Sequence, residues 1–369
     1  MALALSLPAG EFDVVCYAHC GGRYADIAFA HDGRFERSVE VHSSWGTFEW
    51  LLHDAFRLGY RVGVVANSDG HKGRPGASYP GAGKFGAIGG LTCFNTAELS
   101  REALLDCMRK RRHYGTTGGD AGRMIIDVSA TFETSGELYH DDPKLFDSEG
   151  ISTRSAMMGD IVHLPQGDAE LSVSVTTSSP IIRIDIFNGL DLIETVRPYT
   201  EDDLGSRIRL HWEGAEYRGR FREVIWDGSA SIEGNTIERI QPVNFLNRDK
   251  TLDQLSDHEI SWRALTTGNF GGADLALADA AAGKLSIRTP LVETDIAISD
   301  IGYEDHVFNA SGELPRFLKF FRLPDINPHR SFAFTRKLEL KPDGDNPIYI
   351  RLEQEDGTRA WTSPIYLFR

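Results

Sequence analysis

The sequence predicts a partial (β/α) barrel-like α/β region followed by an all-β, antiparallel sandwich-like region. Three observations carry this. Residues 11–120 alternate apolar strand runs with segments of helical period. From about Arg123 helical period nearly disappears and short alternating segments succeed one another. A chain of 369 residues is also too long for one small core. The reading divides the chain into 1–122 and 123–369, with a long loop near 131–160 that contains "HDDPKLFDSEG".

The elements run in order. "DVVCYA" (Asp13–Ala18) is an apolar, β-branched run, and "SVEVH" (Ser38–His42) alternates. In "TFEWLLHDAFRLG", Phe48, Leu51, Leu52, Ala55 and Phe56 share one helical face, with Thr47 as the expected N-cap and Gly59 as the C′ residue. "RVGVVA" reads as a buried strand and "GGLTCF" as another. "SREALLDCMRKRR" is a helix capped by Ser100, with a basic last turn that suits the dipole. Strands alternating with helices predict a parallel sheet. In the β region, Ile182, Ile184 and Ile186 alternate with Arg183 and Asp185, the pattern of a half-buried strand. "EDG" (Glu355–Gly357) marks a hairpin turn.

Charge narrows the partners. The first 120 residues balance 13 Lys and Arg against 13 Asp and Glu, so the whole net charge of −15 falls on the remainder. An acidic surface repels a phosphate backbone, so no nucleic-acid partner is expected. No apolar run approaches the ~20 residues that span a bilayer, so no membrane is expected either. The opening "MALALSLPAGEF" lacks a basic n-region, and Cys16, Cys20, Cys93 and Cys107 form no CxxC pair. Together these point to the cytoplasm.

In a parallel α/β sheet, ligands bind at the carboxyl ends of the strands. The first strand ends at His19. The second carries Glu40 and ends at His42. The third ends at Asp69 and His71. Imidazole and carboxylate together suit Zn, Mn or Fe, and Glu40 could orient a histidine from behind. Arg23, Lys72 and Arg74 lie beside these residues in sequence, where cations would serve a phosphate ester. His31 and His53 read as ordinary polar residues, and His113 as a helix-terminal one. "YGTTGG" (Tyr114–Gly119) is a loop fit to line a site. A carbohydrate-binding alternative would use Trp212, Trp226, Trp262 and Trp361 as stacking residues, although buried core positions suit them better.

The stretch "VEVHSSWGTFEWLLHDAFRLGYRVGVVANSDGHKGRPG", then "GGLTCF", then "REALLDCMRKRRHYGTTG", resembles the later part of PHP-type metal-dependent phosphoesterases. It is most similar to their domain-of-unknown-function 3604 branch, and the chain's ending "IYIRLEQEDGTRAWTSPIYLF" also resembles that branch. The likeness covers roughly 11–123 and the C-terminus. It implies a distorted (β/α)₇ barrel holding divalent metal ions at its strand ends. Asp69-Gly70-His71 matches the family's final D-x-H motif and His19 its isolated histidine; Glu40-Val41-His42-Ser43 matches the E-[IV]-x-S stretch. The family's opening H-x-H is missing from this chain. The resemblance therefore implies entry into the fold at its second half: as a fragment, as one of two chains, or as a reduced relative.

The expected function is a metal-dependent hydrolase acting on a small anionic substrate, a phosphate ester. Asp69, His71 and Glu40 would be catalytic and His19, His42, Asp69 and His71 would hold the metal. Arg23, Lys72 and Arg74 would bind substrate. The competing expectation is a binding or assembly module, its half-barrel covered by a partner chain or a second copy.

Overall fold

The computed structural model describes residues 14–19, 26–70, 87–119, 122–218 and 222–369. Its first unit is built on β2 (Glu36–Ser43), with β1 (Cys16–Ala18) and β4 (Gly63–Ala66) lying parallel on either side. β3 (Gly46–Thr47) folds back on the end of β2, pairing His42 with Thr47. The nine-residue helix α1 (Glu49–Arg57) joins β3 to β4 and buries Trp50, Leu51, Leu52 and Ala55. These pack with Val39, Val41 and Val64 of the sheet and with Val62 just before β4. Burial of each large apolar side chain contributes about 1.5–3 kcal/mol. Phe187, Tyr349 and Trp361 from the second half of the chain complete this core. The apolar face of α1 is thus covered from within the chain.

Helix ends obey their local signals in part. Gly59 takes a φ of +70° just past α1, the C′ position read from sequence. Thr47 does not cap α1; the N-cap is Phe48, with no side-chain hydrogen bond, because Thr47 is spent on β3. In α2 (Arg101–Arg109), Ser100 Oγ accepts from the Ala103 amide at 3.1 Å, as expected.

The parallel sheet stops at three strands among the described residues. β5 (Leu91–Phe94) and β6 (His113–Thr116) flank α2 but pair antiparallel with each other, and β6 then pairs with Arg359–Thr362. They belong to a 12-stranded sheet made mostly from residues after 124. The partner of β6 lies more than two hundred residues along the chain, so no local pattern could show it. Segment 131–160 is not a long loop. Ile125–Tyr139 and Ile151–Met157 form an antiparallel pair, and only the connection between them is irregular. Ile126, Val128, Ala130 and Phe132 point to the core on alternate positions. A register shift against the partner strand falls between Thr131 and Gly136, while the inward positions keep their parity through Gly136.

Among the described residues the β region holds two large cores and a small cluster of Ile182, Tyr199, Phe321 and Leu323. Both arms of the large sheet share a core, from Val128 and Val173 on one side to Ile184 and Ile350 on the other. Between its strands Asp191–Val196 and Ser331–Leu338 the chain inserts a sandwich of two five-stranded sheets. The sandwich is filled by Trp212, Trp226, Trp262 and the aliphatic residues around them. One of its sheets lies on the large sheet, Phe321 and Leu323 packing with Ile182. Strand Ile181–Asn188 is therefore buried on both faces rather than half-buried. Its charges are matched: Arg183 donates to Asp305 and Arg351 to Asp185. No helix among the described residues is long and apolar enough to cross a membrane.

Candidate functional site

The carboxyl ends of the three parallel strands bring His19, Glu40 and Asp69 together. Glu40 is 1% exposed on β2. Its Oε2 lies 2.6 Å from His19 Nδ1, and its Oε1 accepts from Asn67 Nδ2 at 2.8 Å. The other ring nitrogen, His19 Nε2, lies 3.7 Å from Asp69 Oδ2. The Glu40 hydrogen bond raises the His19 pKa, against a smaller opposing effect of partial burial. Asp69 lies beyond β4 with a φ of +43°, a left-handed conformation that Asp tolerates better than most residues. Ser44 Oγ donates to the Asp69 carbonyl at 3.1 Å and helps hold that turn.

Glu40 behind His19 reproduces the carboxylate–histidine pairing that orients an imidazole toward a metal. Two ligands bound at about 2.0–2.2 Å to one tetrahedral ion stand roughly 3.4 Å apart, close to the His19–Asp69 separation. These two side chains fit a shared divalent ion. Among the described residues, however, no group of three or more His, Cys, Asp or Glu side chains is placed to hold one. His71, Arg23, Lys72 and Arg74 lie outside the described residues.

His42 is engaged differently. Its Nε2 lies 2.7 Å from the Ile88 carbonyl, so this nitrogen carries the proton. Nδ1, 2.9 Å from Thr47 Oγ1, then accepts from the hydroxyl. Both ring nitrogens are spent within the protein, and burial lowers the pKa to about 4. His42 here is a neutral hydrogen-bonding residue fixing β3 and the Ile88 backbone. It also stands in the wall of a cavity of about 200 Å³, with Thr117, Gly118 and Gly119 of the predicted Gly/Thr loop. Asn244, Phe270 and Arg359 close that cavity from the sandwich and the large sheet, contributions that sequence order could not reveal.

The remaining expectations resolve by burial. His113 is no helix-terminal residue: it is buried in β6, with Nδ1 2.8 Å from the Val64 carbonyl and Nε2 3.2 Å from Ser38 Oγ. His31 pairs with Glu36, and His53 lies near Glu49. Trp212, Trp226, Trp262 and Trp361 are all buried, so none offers a ring face to a sugar. Two of them stack on each other, Trp212 on Trp262 with centroids 5.0 Å apart. The signal sequence reading missed was Asn67, whose amide fixes the second oxygen of Glu40. A carboxamide two residues before a candidate ligand was visible in "ANSDGH".

No family model, no curated protein and no solved structure matches this chain.

Proposed function

We propose that the His19–Glu40–Asp69 cluster is part of a divalent-metal hydrolase site of the PHP type, acting on a phosphate ester. The observation that supports this reading is His19 itself. One ring nitrogen is held by a buried carboxylate and the other is turned toward a second carboxylate. His19 and Asp69 would hold the ion, and His71 would join them. A bound divalent ion would lower the pKa of its water toward about 7 and polarise a phosphoryl oxygen. Glu40 would keep the proton on His19 Nδ1 and so leave Nε2 as the ligand atom. Asn67 would hold Glu40 in place. Arg23, Lys72 and Arg74 would bind the substrate anion.

The test is metal content of the purified protein together with p-nitrophenyl phosphate hydrolysis in added Mn or Zn. The reading expects bound metal and turnover in the parent chain, and loss of both in His19→Ala and Asp69→Ala. Absence of metal, or activity unchanged in both variants, would overturn it.

A further inference from the structure

A second cavity, of about 440 Å³, lies at the other end of the same strands. Arg37 stands near the start of β2, Arg61 just before β4 and Arg111 just before β6. With Arg34 and Lys144 they give its wall five cations against two carboxylates, Asp32 and Asp142. The candidate site occupies the carboxyl ends, so the two do not overlap.

Four of the five cations have a carboxylate partner, although that of Arg37 engages only one of its nitrogens. Arg34 pairs with Asp32 at 2.6 Å. Arg61 bridges Asp142 at 2.9 Å and Asp345 at 2.6 Å, and Lys144 also reaches Asp345. The nearby Glu36 is taken by His31. Arg37 and Arg111 are less well served. Arg37 is 5% exposed; its Nη2 reaches Asp141 at 3.0 Å and its Nε the Arg34 carbonyl at 3.2 Å. Its Nη1 is buried with no hydrogen-bond partner. The guanidinium lies over the Phe146 ring, a contact that leaves those N–H groups unsatisfied.

Arg111 is buried, and its hydrogen bonds run to the carbonyls of Gly159, Arg109 and His140, with no carboxylate among them. Burial first and the Arg37 charge second lower its pKa to about 10, so it stays charged at neutral pH. Its backbone is telling. Arg111 sits at the C′ position of α2 with a φ of +57°, where glycine is the easy choice. The amides of Arg111 and Arg112 close the helix end on Met108 and Cys107. A long cationic side chain at a position that favours glycine needs a use to offset its backbone cost. One wall of the cavity presents stacked rings: His31 lies on Tyr60 with centroids 4.0 Å apart, and Leu145 also lines the space.

We propose that this cavity binds a small organic oxyanion, its phosphate or carboxylate group taken by Arg37 and Arg111 and its body lying against the Tyr60–His31 ring pair. A planar guanidinium with an idle nitrogen is suited to either oxyanion. The space exceeds what an inorganic ion fills and falls within the range of small-molecule sites.

The test is isothermal titration of the full chain with inorganic phosphate, phenyl phosphate and benzoate. Phenyl phosphate should bind more tightly than inorganic phosphate, and the order of phenyl phosphate and benzoate identifies the preferred head group. Arg37→Met should weaken binding by about tenfold or more, the worth of charge-assisted hydrogen bonds. Lys144→Met, at a side chain 56% exposed, removes only the outer contact to Asp345, which Arg61 still holds, and should weaken binding by only about two- to threefold through lost attraction. That variant keeps the proposal testable if Arg37→Met fails to fold, which a thermal melt would show. With the protein stripped of metal by a chelator, so that the strand-end site takes no phosphate ester, Asp69→Ala should leave binding unchanged. The proposal falls if no probe binds at about 10 mM, beyond the millimolar range of weak sites. It falls equally if neither cation variant weakens binding, or if binding disappears in Asp69→Ala.

Discussion

Replacing Arg359 with methionine is expected to destabilise the protein by about 3–5 kcal/mol at neutral pH. Arg359 is 2% exposed, on the strand that joins β6 to the large sheet. Its Nη1 and Nη2 donate to the two oxygens of Glu213 at 2.8 and 2.7 Å. Nε and Nη2 also donate to Glu353 Oε2 at 3.0 and 2.8 Å. Glu213 belongs to the inserted sandwich and Glu353 to the large sheet, so one guanidinium ties two units. Methionine would fill most of the volume and leave two buried carboxylates facing each other. The cheapest escape is protonation of one. At pH 7 that costs a normal glutamate roughly 4 kcal/mol, from 1.36 kcal/mol for each unit above a pKa near 4.3. The remaining cations Arg183 and Lys319 soften this without replacing the bidentate pair.

The pH dependence separates a lost charge pair from lost packing. In the parent, nearby cations hold the Glu353 and Glu213 carboxyls well below their usual range despite burial. A depressed carboxylate adds stability above its unfolded pKa, and loses it as pH falls toward the folded value. In Arg359→Met the sign reverses: those carboxyls rise above the unfolded value. The variant should therefore close part of the gap as pH drops from 7 to 5. Urea melts at both pH values measure this. A deficit below about 1 kcal/mol at pH 7 would refute the argument, as would a gap that stays constant; surface pairs are worth that little. Arg359→Met/Glu353→Gln should recover part of the loss, because only one buried carboxylate remains.

Other consequences are as direct. Glu40→Gln can still accept from His19, but its amide then faces the Asn67 amide. One hydrogen bond is lost, and metal affinity should fall by about 10–100-fold in a chelator competition; equal affinity would deny Glu40 its orienting role. His113, whose pKa burial lowers to about 4, should contribute to acid unfolding. Its folded value lies below the unfolded 6.5, so its contribution is complete above that and drains as pH falls toward 4. His113→Gln should flatten the stability slope there by up to about 1.4 kcal/mol per pH unit, which melts at about pH 6 and pH 4.5 would detect or exclude. Gly268 has a φ of +86°, and an added Cβ would meet the Thr47 carbonyl at 1.9 Å. Gly268→Ala should cost more than about 1 kcal/mol in a thermal melt and loosen the β3 contact that holds His42.

The features legible in the sequence were local. The Ser100 cap, the Gly59 terminator, the strands ending near His42 and Asp69 and the Glu355–Gly357 turn each rest on residues within a few positions of one another. Three strand ends brought His19, Glu40 and Asp69 together because consecutive parallel strands deliver their ends to one edge. The rest depended on distance along the chain. The pairing of Thr116 with Ala360 and the sandwich inserted after Val196 leave no local trace. Ile181–Asn188 reads as half-buried because its charged face is covered by residues the pattern cannot name. Arg37, Arg61 and Arg111 are separate basic residues in sequence and one wall in space.

β2 explains why both strand-end groups are held so closely. Arg37 reaches the cationic cavity, Ser38 meets His113, Glu40 holds His19, and His42 holds Ile88 and Thr47. Its eight residues are all buried, so each side chain has a fixed destination. Against β4 the register shifts once, between Glu40 and His42, which leaves His42 opposite Ala66. Asn67 then falls past the paired region, where its amide turns to Glu40. Bulges recur beside functional sites because one extra residue re-aims the side chains after it. Here the shift lets a single strand serve a carboxylate–imidazole pair and a structural histidine two residues apart. A one-residue slip of β2 would exchange Ser38, Glu40 and His42 for Val39, Val41 and Ser43, dismantling the candidate site while keeping every strand.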